Sequence, residues 1–402
     1  MHVSDLSLED FRSYRRLVVS LEPGVTALIG PNGQGKTNLI EAVDYLSGLS
    51  SHRAGADTAL VRRAGPGDEQ PGGAVLRARV VHGRRPTVME LEIIAGRANR
   101  ARLNRGSVRP RDLLGVLRTV LFSPEDLALV REEPAGRRRL LDDLAVTLRP
   151  ALAGVRAEHD KILAQRAGLL RSARAARTPT ASMLATLDVW DAQLAAAASR
   201  LIAARIDVVE RLRPWVAGAY GAVSADPSPA FIAYRSSLAL HEGAPEPDPR
   251  AGEDRPEVEA GLADAGAVAA RLEAAMGALR AREIDRGANL VGAQRDDLSL
   301  FLGPLPARGF ASHGEQWSLA LALRLASYEM LRRDVDAYGG DGEPVLLLDD
   351  VFSSLDDARR RALARLVAGA QQALVTAASE HDVPGELAGA RWRVNGSELS
   401  RE

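Results

Sequence analysis

Cysteine is absent from the 402 residues of this chain, and its absence excludes several kinds of chemistry. Without thiols there is no disulfide, no zinc site with cysteine ligands and no cysteine nucleophile. Long apolar runs are lacking too, since no uncharged apolar stretch of about 18 residues occurs. The first residues, Met1 to Asp5, have neither the basic nor the apolar region of a secretory signal. We therefore expect a cytoplasmic protein without a membrane partner.

Aromatic residues are also scarce, at 4% of the chain, and the formal net charge is only −1. Few aromatic rings leave few platforms on which the bases of a single strand could stack. A balanced net charge does not exclude nucleic acid, because the distribution of charge decides the local field. The apolar fraction of 46% and the charged fraction of 26% are ordinary for a globular protein, and the length favours two or more domains.

The most informative segment that is present is a phosphate-binding loop. It comprises Gly30, Pro31, Asn32, Gly33, Gln34, Gly35, Lys36 and Thr37. An apolar run precedes it and a helical pattern follows it, which is the context that the motif needs. Glycines let successive N–H groups point at phosphate oxygens, and the helix N-terminus adds partial positive charge. The loop predicts ATP binding, with Lys36 on the β- and γ-phosphates and Thr37 on Mg²⁺; the alternative is a glycine-rich turn that binds nothing.

Hydrophobic periodicity distinguishes segments with the short apolar runs of strands from segments with the longer period of helices. In the first part, short apolar runs predict strands at residues 3–8, 17–21, 25–29, 75–81, 88–94 and 116–122, around one helix at 38–47. Helical periodicity follows at 137–148, 152–176 and 183–219, and the prolines at 150, 179 and 214 are expected to interrupt it. In the last part, strands are predicted at 298–302, 345–348 and 373–376, and helices at 315–333 and 358–370.

These strand and helix patterns together predict an α/β fold with two lobes. A P-loop NTPase lobe is expected from residues 1–125 and 290–402, and a mainly α-helical lobe, residues 126–289, is inserted into it. Within the inserted lobe we expect a strand at 231–240 and a helix at 257–287. The stretch between them, at about 242–256, is rich in proline and acidic residues and is expected to be a solvated, mobile linker. The short, proline-interrupted helical segments argue against a long coiled coil.

Two carboxylates follow the apolar run at 345–348. In P-loop folds such a strand is expected beside the strand that feeds the phosphate loop, so its first carboxylate can reach the metal. We assign Asp349 to Mg²⁺ and Asp350 to the attacking water. Together with Lys36 they form the predicted catalytic set. Seen alone, an Asp pair after a buried strand can equally be a turn or a helix cap.

A third segment, Ser312-His313-Gly314-Glu315-Gln316, opens a helical pattern. Taken alone, Ser followed by Glu near a helix start is a capping pattern. With the two nucleotide motifs on either side, it resembles the S-x-G-x-Q signature of ATP-binding-cassette ATPases. That resemblance implies that Ser312, Gly314 and Gln316 act on ATP held by a second subunit, with Ser and Gly at the γ-phosphate, so that ATP joins a homodimer. Ser354 and Asp356 match the dimer-contacting D-loop of the same superfamily.

Further segments narrow the resemblance to the RecF family, which is related to the heads of SMC and Rad50 proteins. The segments that carry it are Leu8-Glu9-Asp10-Phe11-Arg12-Ser13-Tyr14, Gly33-Gln34-Gly35-Lys36-Thr37-Asn38, Ser51-His52-Arg53, Leu121-Phe122-Ser123-Pro124-Glu125-Asp126, Arg137-Arg138-Arg139, Gly292-Ala293-Gln294-Arg295-Asp296-Asp297-Leu298 and Leu348-Asp349-Asp350-Val351-Phe352-Ser353. The resemblance runs over nearly the whole length and is weakest between about residues 150 and 290.

The resemblance implies a cytoplasmic, ATP-dependent DNA-binding dimer that acts in recombinational gap repair and replication restart. It implies binding to single-stranded or gapped DNA, loading of RecA with the partners RecO and RecR, and support of the SOS response. A weak, DNA-stimulated ATPase would serve as a switch, with ATP and Mg²⁺ as ligands. Three departures stand out. His313 and Trp317 replace the Gln and Arg usual in the signature, Ala293-Gln294 replace Pro-His, and the switch His of cassette ATPases is missing after the last core strand.

The basic residues, nearly all arginine, cluster in two places that could bind DNA phosphates. The tentative DNA-binding residues are Arg102, Arg105 and Arg109 in the first cluster and Arg137, Arg138 and Arg139 in the second. The alternative for each cluster is a solvated surface with ion pairs. Since aromatic residues are not interleaved with these arginines, recognition of the backbone or of junction shape fits better than base stacking.

Two other functions stay open at this stage. The chain could be the ATPase subunit of another assembly, such as a transporter with fast turnover, or an SMC-like scaffold. The Phe11-to-Tyr14 and Arg295-to-Asp297 segments argue against a transporter subunit, and the missing long coiled coil argues against a scaffold. A gel-shift assay on gapped DNA, with and without ATP, would discriminate among the three.

Overall fold

The computed structural model describes residues 1–65, 68–176, 180–224, 228–249, 255–335 and 341–401. Contacts divide the chain into a first unit, Met1–Leu127 with Gly218–Pro227 and Trp317–Glu402, and a second unit, Ala128–Ala217 with Ser228–Gln316. The lobes expected from the sequence stay a proposal. Residues 290–316, which the sequence assigned to the ATPase lobe, lie in the second unit.

Strands predominate in the first third of the chain, and helices predominate in the middle of it. The strands are β1 His2–Phe11, β2 Tyr14–Ser20, β3 Gly24–Ile29, β4 Gly73–His82, β5 Arg85–Ile94, β6 Arg100–Leu103, β7 Gly106–Val108, β8 Thr119–Phe122, β9 Ala230–Arg235, β10 Asp297–Leu302, β11 Leu305–Pro306, β12 Val345–Leu348, β13 Gln372–Ala377, β14 Gly389–Asn395 and β15 Glu398–Arg401. The helices are α1 Lys36–Gly48, α2 Ala128–Arg131, α3 Ala135–Leu148, α4 Leu152–Ala175, α5 Ala181–Val223, α6 Ser237–His241, α7 Arg255–Ala260, α8 Ala265–Arg286, α9 Ala307–Phe310, α10 His313–Arg332 and α11 Asp357–Ala368.

The first unit contains two six-stranded sheets. One is antiparallel in the order β2-β1-β4-β5-β6-β7, and the other has the order β15-β14-β3-β13-β12-β8. In the second sheet all neighbours are parallel except the β14–β15 hairpin. The apolar face of α1, with Leu39 and Val43 at 0% exposure, joins inward-facing side chains of both sheets in one core. This packing holds the start of α1, and the loop before it, at the carboxyl edge of the parallel strands.

One expectation about this sheet was wrong. β12 does not lie beside β3, because β13 is hydrogen-bonded to both and separates them. The crossover through α11 returns the chain to the middle of the sheet rather than to its edge. Since the strands are parallel, their carboxyl ends still meet at the same edge. The β14–β15 hairpin was not predicted at all.

The second unit is mainly helical, with a three-stranded sheet in the order β11-β10-β9. Pro214 does not interrupt its long helix, because α5 runs for 43 residues through that position. Pro214 is exposed, whereas Leu212 and Val216 beside it are buried at 0% and 1% exposure. Burial of these side chains offsets the cost of about 3 kcal/mol that a proline imposes on a helix interior. Pro179 lies outside the described residues.

Two further expectations in the second unit are corrected. The predicted strand at 231–240 is strand only to Arg235, after which α6 begins with Ser236 as its N-cap. The predicted helix at 257–287 is split into α7 and α8. Asp264 starts the second helix by accepting hydrogen bonds from the N–H groups of Gly266 and Ala267. A side-chain cap competes with continuation of the helix, which explains the break.

The predicted linker at 242–256 is only partly described. Glu242 and Glu246 are each held by an arginine, Arg271 and Arg235 respectively. Residues 250–254 lie outside the described residues. Among the helices of the described ranges, none combines the length and the apolar composition needed to cross a bilayer.

Candidate nucleotide-binding site

The predicted phosphate loop connects β3 to α1 in the first unit. Gly33 and Gly35 have φ values of 81° and 108°, a region that glycine adopts without strain. Lys36 is buried at 3% exposure, and its Nζ donates hydrogen bonds to the carbonyl oxygens of Gly30 at 2.6 Å and Pro31 at 3.1 Å. Pro31, Asn32 and Gly33 are exposed. The loop therefore surrounds a protected ammonium group with an open rim, as a site for a polyphosphate requires.

The two predicted metal ligands lie in direct contact. Thr37 Oγ1 donates a hydrogen bond of 2.9 Å to Asp349 Oδ1, although 312 positions separate them in the sequence. Thr376, at the end of β13, donates a second hydrogen bond of 2.7 Å to the same oxygen. Both hydroxyl groups thus hold the Asp349 carboxylate at the end of the phosphate loop.

Burial raises the pKa of the Asp349 carboxyl above its ordinary value, and the hydrogen bonds from Thr376 and Thr37 oppose that rise. The charge of Asp350 raises it further. Among the described residues no arginine, lysine or histidine forms a salt bridge with Asp349. A buried carboxylate beside a second carboxylate and a hydroxyl is the oxygen donor set that Mg²⁺ accepts, its remaining positions going to phosphate oxygens and water. The residues therefore fit the predicted metal.

Asp350 has a backbone conformation that few non-glycine residues adopt, with φ of 50°. Its N–H donates to Thr376 Oγ1 at 2.8 Å, and its carbonyl accepts from Ser353 Oγ at 2.8 Å. These contacts hold the turn after β12 and leave the Asp350 side chain half-buried. Asp350 is therefore not fully enclosed, and its role at the attacking water stays a prediction.

Thr376 is the site residue that the sequence did not suggest. It is 1% exposed and contacts both residues of the carboxylate pair through one hydroxyl. Its segment otherwise has the composition of an ordinary buried strand. The only signal available was a polar residue at the carboxyl end of an apolar run.

The loop is also held from two sides. Tyr14 Oη donates to the carbonyl of Gly35 at 3.0 Å. On the other side, the turn of the β14–β15 hairpin contacts Gln34, because the N–H of Gly396 donates to Gln34 Oε1 at 2.6 Å and the N–H of Ser397 donates to its carbonyl at 3.1 Å. A Cβ on Gly30 would meet the carbonyl oxygen of Val394 at 2.2 Å. The hairpin therefore sets the shape of the loop.

The segment Phe11 to Tyr14 also contacts α1. Arg12 forms two hydrogen bonds with the fully buried Glu41, at 2.8 and 2.6 Å. Ser51 Oγ donates to the same carboxylate at 2.5 Å. Since Glu41 lies one turn after Lys36 and Thr37, this network fixes the orientation of the helix that carries them.

The predicted signature opens α10 and belongs to the second unit. Ser312 is exposed and forms a reciprocal cap with Glu315, whose carboxylate accepts from the Ser312 N–H at 2.6 Å. Gln316 Nε2 donates to the carbonyl of Ala311 at 2.7 Å. The geometry is that of a helix cap, and it leaves the Ser312 side chain and Gly314 at the surface or near it. Both interpretations of this segment are compatible with these contacts.

The predicted D-loop belongs to the first unit. Asp356 caps α11 by accepting from the N–H groups of Ala358 and Arg359 at 3.1 and 3.0 Å. Ser354 is exposed. Asp356 therefore caps a helix within a single copy of the chain. Its contact with a second copy stays a prediction.

The two arginine clusters differ in exposure. Arg102, Arg105 and Arg109 lie at the β6–β7 edge of the antiparallel sheet, and all three are exposed. Arg102 forms a salt bridge with Glu90 at 3.1 Å, and Arg109 forms one with Asp112 at 3.0 Å. Such exposed pairs contribute little and exchange partners easily.

The structure corrects one member of the second cluster. Arg137 is buried, with two hydrogen bonds to Asp297 and two to the carbonyls of Leu129 and Glu132. This arrangement assigns Arg137 to the packing of the second unit, because a guanidinium so enclosed cannot reach a phosphate. Arg138 is half-buried and donates to the carbonyl of Asp296 at 2.9 Å, and Arg139 is exposed.

The segment Arg295 to Asp297 is likewise structural in this unit. Asp296 is 0% exposed and accepts hydrogen bonds of 2.7 Å from Tyr234 Oη and from both the N–H and the hydroxyl of Ser237. Burial raises the pKa of the Asp296 carboxyl, and these hydrogen bonds oppose that rise. Asp297 is engaged with Arg137. The pair thus joins β9, α6 and α3 to β10.

Known proteins match this chain over its length. A family model described as RecF/RecN/SMC N terminal domain matches residues 2–385. The DNA replication and repair protein RecF of Beutenbergia cavernae is 56% identical, and that of Frankia alni is 54% identical, each with 100% of both chains covered. The chain belongs to the RecF family of DNA replication and repair proteins. The RecF resemblance inferred from the motifs is therefore confirmed.

The fold agrees with this assignment. A solved structure described as the recombination mediator protein RecF-ATPrS in the RecFOR pathway has a TM-score of 0.83 and 23% identity, with coverage of 100% of this chain and 98% of that chain. An Smc head bound to the C-winged helix domain of ScpA has a TM-score of 0.56 and 15% identity, with coverage of 100% and 98%. The predicted fold class, a P-loop ATPase related to SMC heads, is confirmed.

Proposed function

We propose that this RecF-family chain is an ATP-dependent DNA-binding switch of recombinational gap repair and replication restart. The observation that carries the proposal is the contact of Thr37, Asp349 and Thr376 at the end of a phosphate loop. This contact assembles a nucleotide site from three distant segments. The relative whose structure is described with ATPrS supports ATP as the nucleotide.

The residues have separate tasks in this proposal. The loop N–H groups and Lys36 bind the phosphates, and the ammonium exchanges its contacts with Gly30 and Pro31 for the β- and γ-phosphate oxygens. Thr37 and Asp349 would hold Mg²⁺, which neutralises charge on the phosphates when it is bound. Asp350 orients and polarises the attacking water. Its side chain is shorter than the Glu of cassette ATPases, and the switch His of those enzymes is missing from this chain. We therefore expect hydrolysis well below the enzyme median of about 10 per second.

Slow hydrolysis suits a switch in which the ATP-bound dimer stays on DNA until its ATP is hydrolysed. In this proposal ATP joins two copies, with Ser312 and Gly314 of one copy at the γ-phosphate held by the other, and with Gln316, Ser354 and Asp356 supporting the interface. The exposure of Ser312 supports such a contact. The dimer would persist on single-stranded or gapped DNA, help RecO and RecR to load RecA, and then release on hydrolysis. A cytoplasmic location belongs to the same proposal.

The decisive experiment is a gel-shift assay on gapped DNA with and without ATP, combined with measurement of mass by light scattering. We expect ATP to produce both a dimer and a retained DNA complex. An ATPase that neither dimerises with ATP nor binds DNA would contradict the proposal and favour the subunit of another assembly.

Ser312→Arg should leave each copy able to bind ATP but unable to dimerise, because bulk and charge would occupy the place of the γ-phosphate contact. ATP affinity is measured by calorimetry and mass by light scattering. Ser312→Ala is the comparison: it adds no bulk but removes both the helix cap, at a cost of about 1 kcal/mol, and the proposed γ-phosphate contact, so it should weaken dimerisation less than Ser312→Arg does. An ATP-induced dimer of Ser312→Arg would show that the segment acts only as a cap.

Replacing Arg102, Arg105 and Arg109 together by Ala should weaken DNA binding and leave ATP affinity unchanged. Loss of up to three phosphate contacts should reduce the log–log salt slope for duplex by up to about 3. The control replaces the same three residues by Lys, which keeps the charge and should keep the slope. Equal slopes for the Ala variant and the unaltered chain would place the DNA path elsewhere, with Arg138 and Arg139 as the next candidates.

A further inference from the structure

The signature segment is held by a side chain that no motif suggested. Arg131, the last residue of α2, donates hydrogen bonds from Nε to Gln316 Oε1 and from Nη2 to His313 Nδ1. Gln316 in turn restrains the backbone next to Ser312, because its side-chain amide donates a hydrogen bond to the carbonyl of Ala311, the residue before Ser312. One guanidinium therefore contacts two residues in the first turn of α10. Acceptance at Nδ1 requires that His313 carry its proton on Nε2.

The segment that carries Arg131 is itself anchored. Arg137 donates to the carbonyls of Leu129 and Glu132, on either side of Arg131, at 2.9 and 3.0 Å. Arg137 is fixed in turn by its two hydrogen bonds with Asp297 on β10. In addition, Arg308 in α9 donates to Glu133 at 2.5 Å. The segment that carries Arg131 is thus tied to β10 through Arg137 and to α9 through Glu133.

We infer that Arg131 is a positioning residue for the signature: it holds the first turn of α10 so that the Ser312 hydroxyl and the Gly314 N–H present a fixed pair of donors. The planar fork of arginine suits this role, since it donates in two fixed directions at once, whereas an ammonium is a single point charge. The inference rests on the proposed function, because the contact it prepares is with ATP held by a second copy.

The test compares Arg131→Ala, Arg131→Lys and the unaltered chain. Arg131→Ala should weaken ATP-driven dimerisation by about tenfold or more, the range expected from loss of hydrogen bonds by a charged donor. ATP affinity of the single copy, measured in the Ser312→Arg background, should not change. Arg131→Lys should recover only part of the dimerisation constant. Arg271→Ala removes an arginine paired with Glu242 in the same unit and serves as control.

A double-mutant cycle separates positioning from general loss of stability. In a His313→Ala background, Arg131→Ala should cost less dimerisation than in the unaltered chain, because one of its two acceptors is already gone. A cost that is identical in both backgrounds, or an unaltered dimerisation constant in Arg131→Ala, would overturn the inference alone. If the unaltered chain forms no ATP-dependent dimer, the proposed function fails and the inference fails with it.

Discussion

Lys36→Ala should reduce ATP affinity by about 100-fold or more and abolish ATP-dependent dimerisation and DNA retention. Lys36 supplies charged hydrogen bonds directly to phosphate in the proposed site, and the loss of such bonds costs about 1.5–3 kcal/mol each. The fold should survive, since the residue lies at the start of α1 and its Nζ donates hydrogen bonds to oxygens of its own loop. Calorimetry with ATP and a thermal unfolding curve measure the two effects.

The chain offers a matched control for this variant. It has two lysines, and the other, Lys161, is exposed on α4 in the second unit. Lys161→Ala removes the same charge and should bind ATP as the unaltered chain does. Unchanged ATP affinity in a folded Lys36→Ala protein would contradict the assignment of the loop and leave the interpretation as a glycine-rich turn.

Asp350→Asn should lower the rate of ATP hydrolysis by about 100-fold or more, the usual contribution of a positioned general base, and should trap the ATP-bound dimer on DNA. The substitution preserves shape and removes the charge proposed to polarise water. The turn should keep its φ of 50°, because Asn adopts that region readily and because the contacts that hold it come from the backbone of Asp350. ATP binding should therefore be retained.

Steady-state phosphate release and the lifetime of the DNA complex are to be measured together for the two proteins. If hydrolysis times release, the lifetime should lengthen as the rate falls. Asp357→Asn, in the first turn of α11, is a control with the same change of chemistry at an exposed position. An unaltered rate in Asp350→Asn would remove it from the catalytic set. A lower rate with an equal lifetime would separate hydrolysis from release.

The sequence by itself determined those parts of the protein that depend on interactions between residues close together in the chain. A glycine-rich loop between an apolar strand and a helix can be recognised from eight residues, because backbone freedom and the helix N-terminus are properties of the segment itself. The same holds for β12, which was predicted with its observed bounds, Val345–Leu348. The family followed from several such segments, and it is confirmed.

Pairing and packing over long distances depend on the tertiary structure alone. β13 was predicted as a strand, but nothing in its residues indicated that it separates β12 from β3 or that Thr376 contacts both carboxylate residues. Arg137 looked like its neighbours in a basic run, and only the structure encloses it with Asp297. Helix α5 continues through Pro214 because buried side chains on both sides outweigh a local cost. The environment of a charge, the partner of a hydrogen bond and the continuity of a helix each depend on residues that are distant in the sequence and close in the fold. Hydrophobic periodicity does not reveal which residues those are.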